Sequence, residues 1–155
     1  MNLEIEYLLN KTSAMQISEH LSRCDADFVP PLSGRAEIED YARKIASKAT
    51  RFEAWSGGTL VGLVAAYCND REKRIAYITS VSVLREWTGK GIADHLVGQC
   101  VEHAKALGMQ QISLEVSSDN TAAIKLYEKS GFIAGRANVP FVTMGLHLKN
   151  GEEHE

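Results

Sequence analysis

The segment Thr88-Gly89-Lys90-Gly91-Ile92-Ala93 stands between a run rich in β-branched residues, 75–83, and a long amphipathic run that begins at Ile92. Strand, glycine turn, then helix is an order suited to holding an anion. Glycines turn tightly and let a ligand approach the backbone. The first N–H groups of a helix have no partner inside it, and the helix dipole adds to their pull on phosphate. Small Ala93 adds no bulk there. Asp94 works against a phosphate unless its carboxylate points away; its ordinary role is as a dipole partner in the first turn. The segment is not a P-loop, because no Gly-Lys-Ser/Thr has the required spacing. It is not the dinucleotide fingerprint either, because the third glycine is missing.

A second group of residues follows about thirty positions on. Leu114-Glu115-Val116-Ser117-Ser118-Asp119-Asn120 leads into Ala122-Ala123-Ile124-Lys125-Leu126-Tyr127-Glu128-Lys129-Ser130-Gly131-Phe132. Asn120 can cap a helix. Tyr127 lies seven residues further, two turns along the same helix, so the two side chains can face one ligand. Tyr127 also has a plain reading as a packed amphipathic side chain, and Glu115 one as a strand carboxylate facing solvent.

Together the two segments resemble the GNAT superfamily of acyl-CoA-dependent N-acetyltransferases, over residues 75–132 above all. The family's turn reads Arg/Gln-x-x-Gly-x-Gly/Ala, and Thr88 stands here where Arg or Gln is usual. The resemblance implies roles. The backbone of Val81, Ser82 and Val83 would bond the pantetheine arm of acetyl-CoA. Gly89, Lys90, Gly91, Ile92, Ala93 and Asp94 would wrap the pyrophosphate. Asn120 would bond the cofactor near its pantetheine end. Tyr127 would protonate the departing thiolate as general acid. Many members carry a basic Glu in the strand before the turn, where this chain has Tyr77. Glu115 matches the alternative position, inside Leu114-Glu115-Val116, and would act through water; other members use no dedicated base.

These residues need a scaffold. Alternation from Leu3 to Leu9 predicts a strand. Ser13 with Gln16 predicts a capped helix carrying Ile17 and Leu21. Residues 25–34, with Pro30, Pro31 and Gly34, predict a loop. Ile38, Tyr41, Ile45 and Ala49 mark a second helix. Runs 51–56 and 59–67 around Gly57-Gly58 predict a hairpin. After the strand 75–83 and the helix from Ile92 come a strand at 111–116, a helix capped at Asp119 or Asn120, and a closing pair ending with 141–148. The expected order is β-α-α-β-β-β-α-β-α-β-β: a mixed α/β fold with a mostly antiparallel, splayed sheet of about seven strands and about four helices. One domain is expected over 1–148, with a polar tail at 149–155.

Composition narrows the function. The net charge of -3 argues against a nucleic-acid surface. No apolar run approaches the roughly 20 residues that span a bilayer. Cys24, Cys68 and Cys100 are scattered in apolar stretches and read as reduced core thiols of a cytoplasmic protein. Five histidines show no metal spacing, so no metal is expected. The expected partners are acetyl-CoA and a small-molecule amine or amino sugar, with the chain acting alone or as a homodimer. Its acceptor pocket should come from the first half: residues 24–35, Glu37, Glu39, Asp40, Tyr41, Trp55 and Tyr67. Acetylation of a protein N-terminus or lysine is the alternative within this chemistry. A non-catalytic acyl-CoA-binding domain is the alternative outside it, and retention of Asn120 and Tyr127 speaks against that.

Overall fold

The computed structural model describes residues 4–34 and 36–148; Leu3, Arg35 and the expected tail 149–155 lie outside them. Seven strands form one sheet: β1 (Glu6–Leu9), β2 (Thr50–Ser56), β3 (Thr59–Tyr67), β4 (Ile75–Val83), β5 (Gln111–Ser117), β6 (Ile133–Asn138) and β7 (Phe141–His147). The spatial order is β1-β2-β3-β4-β5-β7-β6. Four α-helices accompany them: α1 (Ala14–Cys24), α2 (Ile38–Lys48), α3 (Ile92–Ala106) and α4 (Thr121–Lys129). Order and number agree with the expectation from sequence. The loop 25–34 adds two single-turn 3₁₀ segments, Asp25–Asp27 and Leu32–Gly34.

Local sequence explains the helix starts. Ser13 accepts from the Gln16 N–H, and the Gln16 side chain accepts from the Ser13 N–H, a complete capping box. Asn120 Oδ1 accepts from the Ala123 N–H at 3.2 Å. The sheet buries both faces, as its apolar strands require. On one face Ile17, Leu21, Ala42 and Ile45 of α1 and α2 pack on Leu63 and Ala65 of β3. On the other, Ile92, Leu96 and Cys100 of α3 pack with Val64, Ala76, Ile112 and Leu114.

Two irregularities interrupt the ladder near the middle of the sheet. Every neighbouring pair is antiparallel except β4 with β5, which run parallel and pair only at Ile75–Gln111, Ala76–Ile112 and Tyr77–Ser113. Beyond these the strands part. In β4, Ser80 sits opposite Ala65 and Ile78 opposite Ala66, so Thr79 is an extra residue, a β-bulge. The bulge exchanges the faces: Ile78 points into the α3 layer, whereas Ser82 reaches His20 of α1.

A buried charge fixes the first corner of the chain. Glu53 of β2 is fully buried. Its carboxylate accepts from the N–H groups of Lys11 and Thr12, the Thr12 hydroxyl at 2.8 Å and the Trp55 indole at 3.0 Å. Arg51 lies 3.9 Å away. A buried carboxylate is tolerated only when satisfied in this way.

Helix α3 approaches the sheet at Gly62. A Cβ built there would lie 2.7 Å from Ile92 Cγ2. Gly98, on the exposed side of α3, has nothing within 4 Å of an added Cβ. Gly62→Ala is therefore expected to lose about 1–3 kcal/mol by overpacking. Gly98→Ala should gain about 0.5–1 kcal/mol from helix propensity. Chemical denaturation of the two variants checks the opposite signs.

Candidate active site

The parting of β4 from β5 opens a cavity of about 640 Å³. It lies at the carboxyl ends of two parallel strands, where open α/β sheets commonly bind ligands. Its walls include Tyr77 through Val83 of β4 and Leu114 through Ser117 of β5. Thr88 and Ala93 border it near α3, and Asn120, Ala123, Leu126 and Tyr127 border it from α4.

The start of α3 differs from every other α-helix start. Ser13, Glu37 and Asn120 cap α1, α2 and α4 with their side chains, while Gly91 caps α3 with none. Gly89 and Gly91 hold φ of 79° and 78°, a left-handed backbone that favours glycine. The first turn hydrogen bond is His95 N–H to the Gly91 carbonyl. The N–H groups from Gly89 to Asp94 have no backbone acceptor among the described residues. They form a donor cradle beside the cavity, chemically matched to a pyrophosphate. The Asp94 carboxylate turns to Lys129 Nζ at 2.8 Å, so its charge is paired at the helix start. Ile92 contributes its N–H only, because its side chain is buried on the sheet.

The two candidate catalytic side chains approach from opposite faces. Leu114 and Val116 are buried in the layer that holds Tyr127. Glu115 between them therefore points to the other face, and it is exposed. Tyr127 is 7% exposed, stacks at a tilt on Phe132, and lines the cavity. Burial pushes its phenol up to about 12, so it remains a neutral donor throughout the physiological range. Asn120 commits its carbonyl oxygen to the α4 cap, which leaves its amide NH₂ free to donate into the cavity.

Of the cofactor residues named from sequence, Val81, Ser82, Val83, Ala93 and Asn120 lie on the cavity wall. Gly89, Lys90 and Gly91 form the adjacent turn. Among the acceptor-pocket candidates, Cys24, Asp27, Phe28, Val29, Leu32 and Tyr41 line the cavity. Trp55 does not; it borders a separate cavity of about 780 Å³ at the β1–β2 edge with Glu4, Glu6 and Lys11. Tyr67 lies off the wall, its hydroxyl buried without a hydrogen-bond partner. Glu37, Glu39 and Asp40 stay at the α2 start, outside the lining.

Sequence reasoning missed one pair. His20 sits on the buried stripe Ile17, His20, Leu21, Cys24. Its Nδ1 lies 3.0 Å from the Leu60 carbonyl, which can only accept, so Nδ1 carries the proton. Nε2 then accepts from the Ser82 hydroxyl at 2.9 Å. Burial lowers the His20 pKa to about 4. The only signal in the sequence was a histidine on an apolar stripe.

The sequence model described as the acetyltransferase (GNAT) family matches residues 15–132. The chain belongs to the GNAT family. A mycothiol acetyltransferase of Corynebacterium glutamicum is 31% identical over 87 residues, 56% of this GNAT chain and 29% of that relative. An N-alpha-acetyltransferase of Arabidopsis thaliana is 29% identical over 86 residues, 55% of this chain and 45% of that relative. The chain thus spans less than half the length of these relatives. The ribosomal-protein-S18-alanine N-acetyltransferase of Escherichia coli shares the fold, with TM-score 0.76, 18% identity and 99% of each chain covered. So does the PaiA N-acetyltransferase of Thermoplasma acidophilum, solved with coenzyme A, with TM-score 0.70, 19% identity and 95% and 99% covered.

The His20 pair gives the folded GNAT domain a pH signature. The folded-state pKa is depressed from 6.5 to about 4, so the unfolded chain binds the extra proton first as pH falls. Stability from this group is fully present above pH 6.5 and is lost progressively toward pH 4, by about 3 kcal/mol. In His20→Gln the loss between those pH values should shrink by that amount, measured by denaturation at stepped pH.

Proposed function

We propose that this protein transfers the acetyl group of acetyl-CoA to a primary amine of a small molecule, by direct attack within a ternary complex. The observation that carries the reading is the split between β4 and β5. It is flanked by an uncapped anion cradle and has a neutral phenol and a carboxylate on its opposite faces. The coenzyme A bound to the PaiA relative, and the mycothiol acetyltransferases among the relatives, support it. The resemblance to N-alpha-acetyltransferases supports a second acceptor, a protein N-terminus, on the same machinery.

When bound, acetyl-CoA supplies an activated thioester. The residues around it divide the remaining work. The cradle from Gly89 to Asp94 holds the pyrophosphate, and the β4 edge at Val81 to Val83 offers backbone groups to the pantetheine arm. An N–H on that parted edge also serves as donor to the oxyanion. Glu115, directly or through water, takes the proton that the attacking amine sheds. Tyr127 meets the departing sulfur. A thiol has an ordinary pKa of about 8.5, well below the phenol's value of about 12. Tyr127 therefore stabilises the thiolate chiefly as a hydrogen-bond donor, and the phenol proton need not leave.

Tyr127→Phe isolates the hydroxyl and keeps the ring packed. Single-turnover acetylation should fall by about 10²-fold or more, with acetyl-CoA-dependent thermal stabilisation unchanged. Full activity in that variant would make Tyr127 a core aromatic only. Glu115→Gln should lower turnover by about tenfold or more, most strongly below the amine's own pKa, where a proton must be removed. A flat ratio of variant to parent rates across pH would remove the base assignment. The reading as a whole is tested by thiol release from acetyl-CoA over a panel of amines and peptides.

A further inference from the structure

We infer that the acceptor is a small primary amine carried on an apolar or aromatic body, not an amino sugar. This rests on the acetyl-transfer reading and deepens it for the face of the cavity away from Tyr127. The wall there is built from Phe28, Val29, Leu32, Tyr41, Tyr77 and Phe141. Val29 and Tyr77 are 42% and 37% exposed, and both border this cavity. Exposed apolar groups gathered at the mouth of a cavity mark a binding surface.

Four of the polar side chains on the cavity wall, which also carries Ser80, have partners within the protein. Ser82 gives its hydroxyl proton to His20. The Tyr41 hydroxyl bonds the Thr79 carbonyl at 2.7 Å. Asp27 pairs with Arg85. Ser117 Oγ accepts from the Asp119 N–H at 3.3 Å. Glu115 has no ion-pair partner among the described residues, and its charge suits an ammonium group arriving from water. A sugar presents hydroxyls around its whole body. Each one left without a partner costs on the order of tenfold in affinity. An apolar body carries no such penalty.

Size favours a small acceptor over a polypeptide. The cavity of about 640 Å³ must also take the acetyl end of the donor. Asp27, Phe28, Val29 and Leu32 of loop 25–34 line this end. Asp27–Arg85 and Arg23–Glu86 tie the loop and α1 to the 3₁₀ turn Arg85–Trp87, just before the glycine turn.

The probes are 2-phenylethylamine, glucosamine and a phenylalanine-initiated tripeptide. Each is measured for kcat/KM by thiol release, and for binding to the CoA-loaded protein by calorimetry. The expected result is a preference of about tenfold or more for 2-phenylethylamine over both others. Val29→Asp and Tyr77→Ser should each lower that amine's kcat/KM and affinity by about tenfold, without changing thermal stabilisation by acetyl-CoA. Equal or better use of glucosamine overturns the inference. So does a tenfold preference for the tripeptide, an unchanged affinity in both variants, or no saturable binding of 2-phenylethylamine. Selective binding of 2-phenylethylamine without any acetylation would uphold the apolar site and sink the transfer reading, so the two failures are distinct.

Discussion

Two adjacent parallel strands that hydrogen-bond for only three residues leave a row of backbone groups without their natural partner. In β4 that row runs from the bulge at Thr79 to Val83, along the edge that β5 abandons. Buried backbone N–H and C=O groups must be satisfied somewhere. In this fold the abandoned edge faces a cavity, so a ligand with its own amides can complete the sheet in place of a strand. The position of the glycine turn follows from the same split. The turn follows β4 after one 3₁₀ turn, Arg85–Trp87, so the uncapped start of α3 is delivered to the mouth of the gap.

The strand beside the split also sets two polar side chains on opposite faces. Because side chains alternate along β5, Glu115 and the Leu114–Val116 pair must face opposite ways. Tyr127 belongs with the buried pair, on the α3 and α4 side. The exposed carboxylate therefore sits on one face and the buried phenol on the other. The Thr79 bulge extends this division to β4, by turning Ser82 toward His20 while Val81 and Val83 pack toward α3. Tyr41 of α2 holds the bulge through the Thr79 carbonyl and hydroxyl.

Periodicity made the elements legible. The strand expected at 75–83 matches β4 at both ends, and Ser13 with Gln16 makes the cap that their spacing announces. Paired motifs at the α3 and α4 starts also singled out residues that the fold brings to one cavity, Ala93, Asn120 and Tyr127 among them. Strand order is the hidden variable. Trp55 belongs to the first half of the chain, and that alone points it at the acceptor pocket. Strand β2 stands two places from the split in the sheet, and Trp55 bonds Glu53 there instead. Likewise Asp94 is repulsive for phosphate in the bare sequence, but the fold brings its partner, Lys129, beside it from 35 residues away. One-residue events such as the bulge leave no periodic trace at all.

The buried Glu53 carries a consequence for motion. Lys11 and Thr12 lie in the connection between β1 and α1 and have no ladder partner, so their amides would ordinarily exchange with solvent as fast as any loop's. Both instead donate to a carboxylate that has no exposure. Freeing both amides removes two of the four donors to this buried carboxylate, so the opening that frees them is the one that undocks β1 from β2. These two loop amides are thereby timekeepers for the whole amino-terminal edge, exchanging with deuterium at the pace of its detachment.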